Sequence, residues 1–435
     1  MLASAPAMLR SIYTLLICLL APVVLAFTAW RGIRDPAYRD RLGERLGRTR
    51  LRFDRPVIWV HAVSMGEVQA AAPLIRELRR RYPDRPLLVT TATPTGAARV
   101  KALFADAVSH AYLPYDTPGS VRRFLDRVSP RVAIVMETEV WPNLYRACAR
   151  RGIPIVMASA RLSERSIRRL RWLGGLFQPV LAANVTIAAQ TQADADRFVA
   201  LGADRSRVPV VGNIKFDVEI ASDLLERGRA VREAQFAARF VWVAGSTHEG
   251  EEQIVVAAHE LLRVKIPEAL LLLVPRHPQR FGIVRQWLES QSLAFAVRSR
   301  GTAVTATDAV LLVDTLGELL MFYAAADVAF VGGSFVPVGG HNLLEPAALS
   351  LPVLAGPNND NARDIAALLF DQQAALQVGN TNELSRALIE LAGDAQRRQE
   401  MGARGARIVS ANRGALAQVC ALVAAYVAND AGNSR

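Results

Sequence analysis

The chain has 435 residues, of which 51% are hydrophobic and 21% are charged. This length exceeds what one hydrophobic core usually holds, so we expect two domains with well-filled cores and little disorder. The net charge of +12 favours anionic partners, such as nucleic acid, acidic lipids or a phosphorylated substrate. Three widely spaced cysteines, Cys18, Cys148 and Cys420, support neither a disulfide framework nor a zinc site.

Residues 11–30 carry no charge, and a helix of this length, about 30 Å, crosses the hydrocarbon core of a bilayer. The next 22 residues hold eight arginines and three acids, which keeps that side cytoplasmic by the positive-inside rule. We predict a membrane anchor over residues 1–32, with the rest of the chain on the cytoplasmic side of the membrane. A cleaved signal peptide is the alternative, although its apolar region is usually shorter. Pro22 leaves open whether the helix spans the bilayer or lies partly inserted.

Beyond residue 32, short apolar runs alternate with helical stretches, which is typical of parallel sheets built from strand-helix units. We predict an α/β protein with two Rossmann-like, doubly wound domains, residues 33–218 and 240–435, joined by a polar linker over 219–239. The two domains should face a cleft, where ligands of open α/β sheets bind beyond the carboxyl ends of the strands. The predicted strands are "VIWVHA", "PLLVTTA", "HAYLPYD", "RVAIVMET", "PIVMASA", "VTIAAQ" and "VPVVG" in the first domain, and "FVWVAGS", "ALLLLVP", "AVLLVD", "DVAFVGG" and "LPVLAG" in the second.

The first strand runs into "VSMGE", which places Glu67 near a predicted helix start. Gly66 would let the chain turn tightly, and the free N–H groups and dipole of the helix favour an ionised carboxylate there. Such a carboxylate can accept a proton in catalysis, or it can merely complement the helix end.

The fourth strand ends in "METEVWPNL", with Glu137 and Glu139 two residues apart and a helix predicted to open at Trp141 and Pro142. If the strand stays extended, both carboxylates face the same side, and like charges raise one pKa, as is common at functional sites. The alternative is a pair of solvated acids that cap the helix.

Lysine occurs only at Lys101, Lys215 and Lys265, whereas arginine is abundant. Lys215 lies in "GNIKFD" at the end of the first domain, where an ammonium could stabilise negative charge that develops in a reaction. Alternatively it is a surface lysine paired with Asp217.

Three motifs follow strands of the second domain. In "VPRHPQR", Arg276 and His277 are suited to gripping a phosphate, unless the loop is only a solvated basic one. In "GGHNLLEP", backbone N–H groups could receive an anion while Glu345 faces ribose hydroxyls, or His341 only caps the helix. In "STHEGEE", Ser246 and His248 could line the same pocket, or the three acids form a solvated face.

The motifs "HAVSMGE", "METEVWPNL", "GNIKFD", "STHEGEE", "VPRHPQRF" and "GGHNLLEPAA", in this order, resemble those of the 3-deoxy-D-manno-octulosonic acid (Kdo) transferases of Gram-negative bacteria. The resemblance implies a GT-B fold and an inverting glycosyltransferase that moves Kdo from CMP-Kdo to the lipid A precursor (lipid IVA). It also implies Glu67 as general base, Glu137 as a group that stabilises the transition state, and Lys215 as a stabiliser of the departing CMP. The CMP contacts it implies are Pro275, Arg276, Leu316, Gly317, Glu318, Asn342, Leu343, Leu344 and Glu345.

Other classes lack their defining motifs. The chain has no Walker lysine motif and no G-x-G-x-x-G at the start of the first domain, which argues against ATPases and dehydrogenases. We expect neither metal nor cofactor, because "DAD" at Asp194 lies in a helical run. Basic and aromatic residues do not interleave, so a phosphorylated lipid acceptor and membrane lipids, rather than nucleic acid, explain the charge.

Two further hypotheses remain open. The first is another membrane-associated GT-B transferase of envelope synthesis that uses a different nucleotide sugar, which CMP release assayed against UDP release would separate. The second is a membrane-anchored nucleotide-binding protein without catalysis, against which the intact Glu67, Glu137 and Lys215 argue.

Overall fold

The computed structural model describes residues 5–172, 174–236 and 239–428. The chain divides into two compact units. The N-terminal unit contains the chain up to Asp217 together with the C-terminal segment from Arg413, and the second unit is Val218–Asn412.

The N-terminal unit is built on a six-stranded sheet with strand order β3-β2-β1-β4-β5-β6, in which every pairing is parallel. Its strands are β1 (Val57–His61), β2 (Leu87–Thr91), β3 (Ser109–Tyr112), β4 (Pro130–Met136), β5 (Ile155–Ala160) and β6 (Val185–Ala189). The predicted strand at residues 208–212 is wrong, because only Val210 forms a bridge, to Ala189. The remaining six predicted strands correspond to β1–β6.

In the part of the chain that the structure describes, nine α-helices precede or alternate with these strands: α1 (Ala5–Arg34), α2 (Leu42–Arg45), α3 (Met65–Arg81), α4 (Pro94–Phe104), α5 (Pro118–Val128), α6 (Pro142–Arg150), α7 (Glu164–Trp172), α8 (Gly174–Leu181) and α9 (Gln192–Ala200). Four of them begin at a Ser or Thr whose hydroxyl accepts a backbone N–H of the first turn, namely Ser64, Thr93, Thr117 and Thr191. This cap satisfies a donor that the helix itself cannot pair, so the strand-to-helix turns are specified locally.

Both faces of the sheet are buried. Along β1, Val57 and Trp59 point into one hydrophobic cluster, whereas Ile58 and Val60 point into the other. Trp59 packs edge-on against Phe124 of α5, with ring centroids 5.1 Å apart. A strand covered on both faces reads as a continuous apolar run, which is why "VIWVHA" is recognisable from the sequence.

Helix α1 lies against the N-terminal unit along one stripe. The Tyr13 hydroxyl donates to Asp116 at 2.9 Å, and the Thr28 hydroxyl lies 3.2 Å from that of Tyr115. The opposite stripe of α1 is apolar and exposed, with side chains that include Leu15, Leu16, Leu19, Leu20, Val23 and Phe27. By length and composition alone, the stretch Ala7–Arg34 could cross a bilayer, and so could Ala395–Val427.

The second unit has a seven-stranded parallel sheet of order β13-β12-β11-β7-β8-β10-β9. Its strands are β7 (Val241–Thr247), β8 (Leu270–Pro275), β9 (Phe295–Val297), β10 (Val310–Leu312), β11 (Val328–Val331), β12 (Val353–Ala355) and β13 (Ala375–Gln377). The two edge strands, β9 and β13, are absent from the sequence prediction. Unlike the equally short β10 and β12, they are only partly buried and so lack a continuous apolar run. The two parallel sheets confirm the predicted fold class.

The helices of the second unit are α10 (Ser222–Val231), α11 (Glu251–Arg263), α12 (Pro278–Glu289), α13 (Leu319–Ala324), α14 (Leu344–Ala348), α15 (Arg363–Asp371), α16 (Thr381–Gly393) and α17 (Ala395–Ala411). The predicted linker over 219–239 is part of this unit rather than a connection. Leu224 and Val231 of α10 pack on the core, and a β-carbon at Gly228 would lie 2.6 Å from that of Ala324 on α13.

The helix α18 (Ala415–Val427) corrects the predicted domain boundary, because the segment 413–428 belongs to the N-terminal unit and not to the second domain. Val419, Cys420 and Val423 are fully buried in the same cluster as Ile58. The Asp217 carboxylate accepts the N–H groups of Gly414 and Leu416, each at 2.7 Å, and so caps the start of α18. Sequence periodicity does not report which sheet a terminal helix covers.

We expect Asp217→Ala to destabilise the N-terminal unit by about 1–2 kcal/mol, because two N–H groups at the start of α18 lose their acceptor. Urea denaturation of the full chain measures this free energy of unfolding. The control is Asp106→Ala, which removes an exposed carboxylate. Equal stabilities of the two variants would contradict the capping role.

Candidate active site

The strand order of the first sheet reverses between β1 and β4, which are neighbours although β1 is followed by β2 in the chain. Loops that leave two such strands diverge to opposite faces, and the gap at their carboxyl ends is where open α/β sheets bind ligands. Glu67 follows β1 and Glu137 follows β4. The topology therefore brings these two carboxylates to the same edge.

Glu67 lies in the first turn of α3, and its carboxylate accepts the backbone N–H of Val63 at 2.8 Å. The Ser64 hydroxyl accepts the backbone N–H of Glu67 at 3.4 Å, so the arrangement is close to a capping box. The predicted tight turn at Gly66 is not observed. It lies within the helix, where an added β-carbon would meet only the Ser64 hydroxyl, at 3.9 Å.

Burial raises the pKa of the Glu67 carboxyl to about 7. The negative charges of Glu137 and Glu139 add to this effect, while the Val63 N–H and the Lys215 ammonium oppose it. The helix N-terminus therefore does not keep Glu67 fully ionised at neutral pH, because the cost of burying the charge is larger. A carboxyl with this pKa can gain and lose a proton near pH 7.

Glu137 is the residue at which β4 stops. Its φ of 55° lies in the left-handed region, which costs a residue other than glycine about 1–3 kcal/mol. The strand therefore does not stay extended to Glu139, which was the condition for both carboxylates to face the same side. The Glu137 carboxylate lies 3.6 Å from the Lys215 ammonium and 3.5 Å from the Arg161 guanidinium.

Lys215 lies in a 3-10 turn, Ile214–Phe216, whose start is capped by the Asn213 side chain. The neighbouring backbone N–H of Ile214 donates at 3.2 Å to the hydroxyl of Ser159, near the carboxyl end of β5, which ties the turn to the sheet. Pairing of Lys215 with Asp217 is not observed, because the Asp217 carboxylate caps α18. The ammonium instead lies beside the Glu137 carboxylate, with 29% of its side chain exposed.

Glu139 is the third acid of this edge, and burial together with the Glu137 charge raises its pKa. Neither Glu137 nor Glu139 caps α6. Asp116 does so, because its carboxylate accepts the N–H groups of Asn143 at 2.9 Å and Leu144 at 2.8 Å. The prediction that α6 begins at Pro142 is confirmed.

The second sheet reverses its order between β7 and β11, and His248 follows the first of these strands while His341 lies in the loop after the second. The two imidazole rings stack, with 2.8 Å between their Nε2 atoms. His277 packs edge-on against His248. Burial and the nearby positive charges lower the pKa of all three, to about 3 for His341, so the rings are neutral at pH 7.

Arg276 and Glu345 lie close enough in this cluster for the guanidinium to lower the pKa of the carboxyl, which burial raises. The Glu345 carboxylate also accepts the Asn342 side-chain amide at 3.1 Å. Asn342 accepts the N–H of Leu344 and so supports the start of α14, which means that His341 is not the capping residue. Leu343 and Leu344 are both buried.

The acids of "STHEGEE" do not form a solvated face, because Glu251 and Glu252 are fully buried. The Glu251 carboxylate accepts four backbone N–H groups at 2.6–3.0 Å: those of His248, Gly333, Ser334 and Phe335. Glu252 pairs with Arg280 at 3.0 Å. Glu251 thus joins the loop after β7 to the loop after β11.

The predicted contact segment at Leu316, Gly317 and Glu318 precedes α13. Leu316 is 70% exposed, and Gly317 has a φ of 83°. The Glu318 carboxylate accepts two hydrogen bonds from Arg298, at 2.8 and 3.1 Å, which holds its pKa below the usual range. Pro275 is buried at the end of β8, directly before Arg276.

Sequence reasoning missed three charged partners in these clusters: Arg161, Arg298 and the half-buried Arg280. Arginine is so abundant in this chain that its position alone gives no signal. In the described residues, no cluster of three or more histidines, cysteines or acids is arranged to hold a metal ion.

A family model and two sequence relatives indicate the same family. Residues 40–218 match the family described as 3-deoxy-D-manno-octulosonic-acid transferase (kdotransferase). A 3-deoxy-D-manno-octulosonic acid transferase of Haemophilus influenzae is 40% identical over 97% of this chain and 99% of the relative. Another from Bordetella pertussis is 39% identical over 93% of this chain and 96% of the relative.

The likeness to solved structures concerns the fold. The structure of S. aureus MnaA with UDP is 15% identical, with a TM-score of 0.51 over 86% of this chain and 97% of that one. This agrees with the predicted GT-B fold. On the identity and coverage of its relatives, the chain belongs to the 3-deoxy-D-manno-octulosonic acid transferase family.

Proposed function

We propose that this protein transfers Kdo from CMP-Kdo to the lipid A precursor (lipid IVA), with inversion at the anomeric carbon. The observation that carries the proposal is the convergence of Glu67, Glu137 and Lys215 at the reversal point of the first sheet, in a chain of the Kdo transferase family. Mass spectrometry of the product formed from purified protein, CMP-Kdo and precursor tests it. Release of UDP from another sugar donor, with no CMP released from CMP-Kdo, would overturn the proposal.

In this reaction an acceptor hydroxyl attacks the anomeric carbon of Kdo while the bond to the CMP phosphate breaks. The hydroxyl proton passes to Glu67, and the bonding electrons leave with CMP. A pKa of about 7 supports Glu67 as general base, because a base works best when its pKa is near the operating pH. Helix α3 and the Val63 N–H fix the position of its carboxylate.

Glu137 and Lys215 would act on the charges that change during transfer. Lys215 is compact, positively charged and partly desolvated, which suits it to stabilise the negative charge that develops as CMP leaves. Glu137 would stabilise positive charge at the anomeric centre and hold Lys215 in place through their contact at 3.6 Å.

The second unit would hold the donor nucleotide. Arg276 supplies a fixed charge for the phosphate, and Glu345 supplies an acceptor for ribose hydroxyls. The remaining contacts would come from Pro275, from Leu316, Gly317 and Glu318, and from Asn342, Leu343 and Leu344. The loop after β11 is held by Glu251, which supports a preformed pocket.

The exposed apolar stripe of α1 supports attachment to a membrane. We place the enzyme at the cytoplasmic side of the cell inner membrane, because arginines dominate the segment that follows α1. Anionic lipids and the phosphorylated acceptor would then offset the net charge of the protein.

The pKa of Glu67 should move in opposite directions in two variants. Glu137→Gln removes a neighbouring negative charge and should lower this pKa below about 7, whereas Lys215→Met removes a positive charge and should raise it. Carbon-13 NMR titration of glutamate carboxyls measures both, with the Glu67 signal identified by its loss in Glu67→Gln. Shifts of the same sign would contradict this electrostatic coupling.

Glu67→Gln should lower kcat by about 10²–10⁴-fold, because the amide cannot accept the proton, while CMP affinity stays unchanged. In the unmodified enzyme, kcat/KM should rise with pH up to about 7 and then level off, since protonated Glu67 is inactive. Steady-state kinetics over pH 5–9, with CMP binding by calorimetry, checks both. Full activity of Glu67→Gln would refute the base assignment.

Lys215→Ala should lower kcat by about 10²–10³-fold with little change in acceptor KM, because the ammonium acts on charge that exists only in the transition state. Lys101→Ala, which alters an exposed lysine of α4, is the matched control. Unchanged turnover in Lys215→Ala would remove this residue from the proposed site.

A further inference from the structure

A cavity of about 350 Å³ lies in the N-terminal unit, between α1, α6 and α8. This volume is at the lower end of the range for small-molecule pockets, about 300–1,000 Å³. Its lining is apolar apart from two arginines, Arg10 and Arg146, and it includes Tyr145, Leu176, Val180 and Ala183. None of the residues assigned above to catalysis or to CMP binding lines it.

The two arginines distinguish this cavity from a packing defect. Both are half-buried, and among the residues that the structure describes neither guanidinium has a hydrogen-bond or ion-pair partner. A guanidinium beside apolar surface is normally paired, because an unsatisfied charge in such surroundings is costly. Two unpaired cations at the border of an apolar cavity match a molecule with an apolar chain and an anionic group.

The position of the cavity beside α1 indicates that such a molecule would enter from a membrane. The cavity is lined by Ala7 and Arg10 of α1, the helix whose opposite stripe is exposed and apolar. It also shares α6 with the candidate active site, because the Tyr145 hydroxyl donates to the Glu139 carbonyl oxygen at 2.6 Å. A lipid held here would bridge a membrane-facing helix and the segment that carries Glu137 and Glu139.

We infer that this cavity binds an acyl chain of the phosphorylated lipid acceptor, with Arg10 and Arg146 pairing to its phosphate. The inference rests on the proposed function for the identity of the lipid. Guanidinium groups suit phosphate because they donate two parallel hydrogen bonds to it. The cavity therefore selects an acceptor that is both acylated and phosphorylated.

Direct binding of the lipid A precursor to the full chain in detergent, without CMP-Kdo, tests this inference separately from transfer. Ala183→Phe fills the cavity and should weaken binding of the acylated precursor by about tenfold or more, with no effect on the same precursor stripped of its acyl chains. Ala182→Phe is the matched control, because Ala182 is adjacent but exposed and does not line the cavity. Equal effects of the two substitutions would overturn the inference.

The phosphate contact has its own test. Arg146→Gln should weaken binding of the intact precursor by about tenfold or more, and this loss should vanish when the phosphates of the precursor are removed. Arg150→Gln, one turn along α6 and exposed, should change binding by less than about twofold. If Arg146→Gln weakens binding of the dephosphorylated precursor as well, the pairing of Arg146 with the phosphate is contradicted. This variant tests the inference even if Ala183→Phe does not fold.

The two proposals can fail independently. A wild-type chain that binds the precursor with these dependences but forms no Kdo product would refute the proposed function and leave the cavity assignment intact. A wild-type chain that forms the product while Ala183→Phe and Arg146→Gln bind the precursor normally would refute the cavity assignment alone.

Discussion

The reversal of strand order in each parallel sheet determines where the candidate site of that unit lies. Where consecutive connections run to opposite sides, two neighbouring strands end beside each other with no helix above them. In the N-terminal unit this happens at β1 and β4, and in the second unit at β7 and β11. Polar side chains lie at the carboxyl ends of these strands: Glu67 and Glu137 in the N-terminal unit, and His248 and His341 in the second unit.

The charges around Glu67 and Glu137 differ, although both residues are glutamates at the same edge of the sheet. Glu67 and Glu137 are both glutamates near one lysine, but only Glu137 lies within 4 Å of cations, namely Lys215 and Arg161. Glu67 is left with a backbone N–H and two negative neighbours, and its pKa rises to about 7. Environment, and not residue type, therefore brings the pKa of Glu67 to a value at which its carboxyl can exchange a proton near pH 7. The left-handed backbone at Glu137 is part of this arrangement, because it ends β4 at that residue.

The sequence predicts those parts of the fold and site that are encoded locally. Buried parallel strands such as β1 are continuous apolar runs in the sequence. The start of α6 is predicted by Pro142, which is its first residue. Features set by distant contacts are not readable in this way. The partner of Lys215, the burial of Glu251 and the placement of α18 on the first sheet each depend on residues far apart in the chain. The motifs locate the candidate site, whereas the geometry shows which of the neighbouring charges meet.

Glu251 illustrates how much organisation one side chain can supply. Its two oxygens are saturated by four amide hydrogens from segments more than 80 residues apart. Glutamine could not replace it without turning an amino group toward those donors. The loop around Gly333 is consequently ordered when the chain folds. Its loss of conformational entropy therefore reduces the free energy of folding and not the affinity for a ligand.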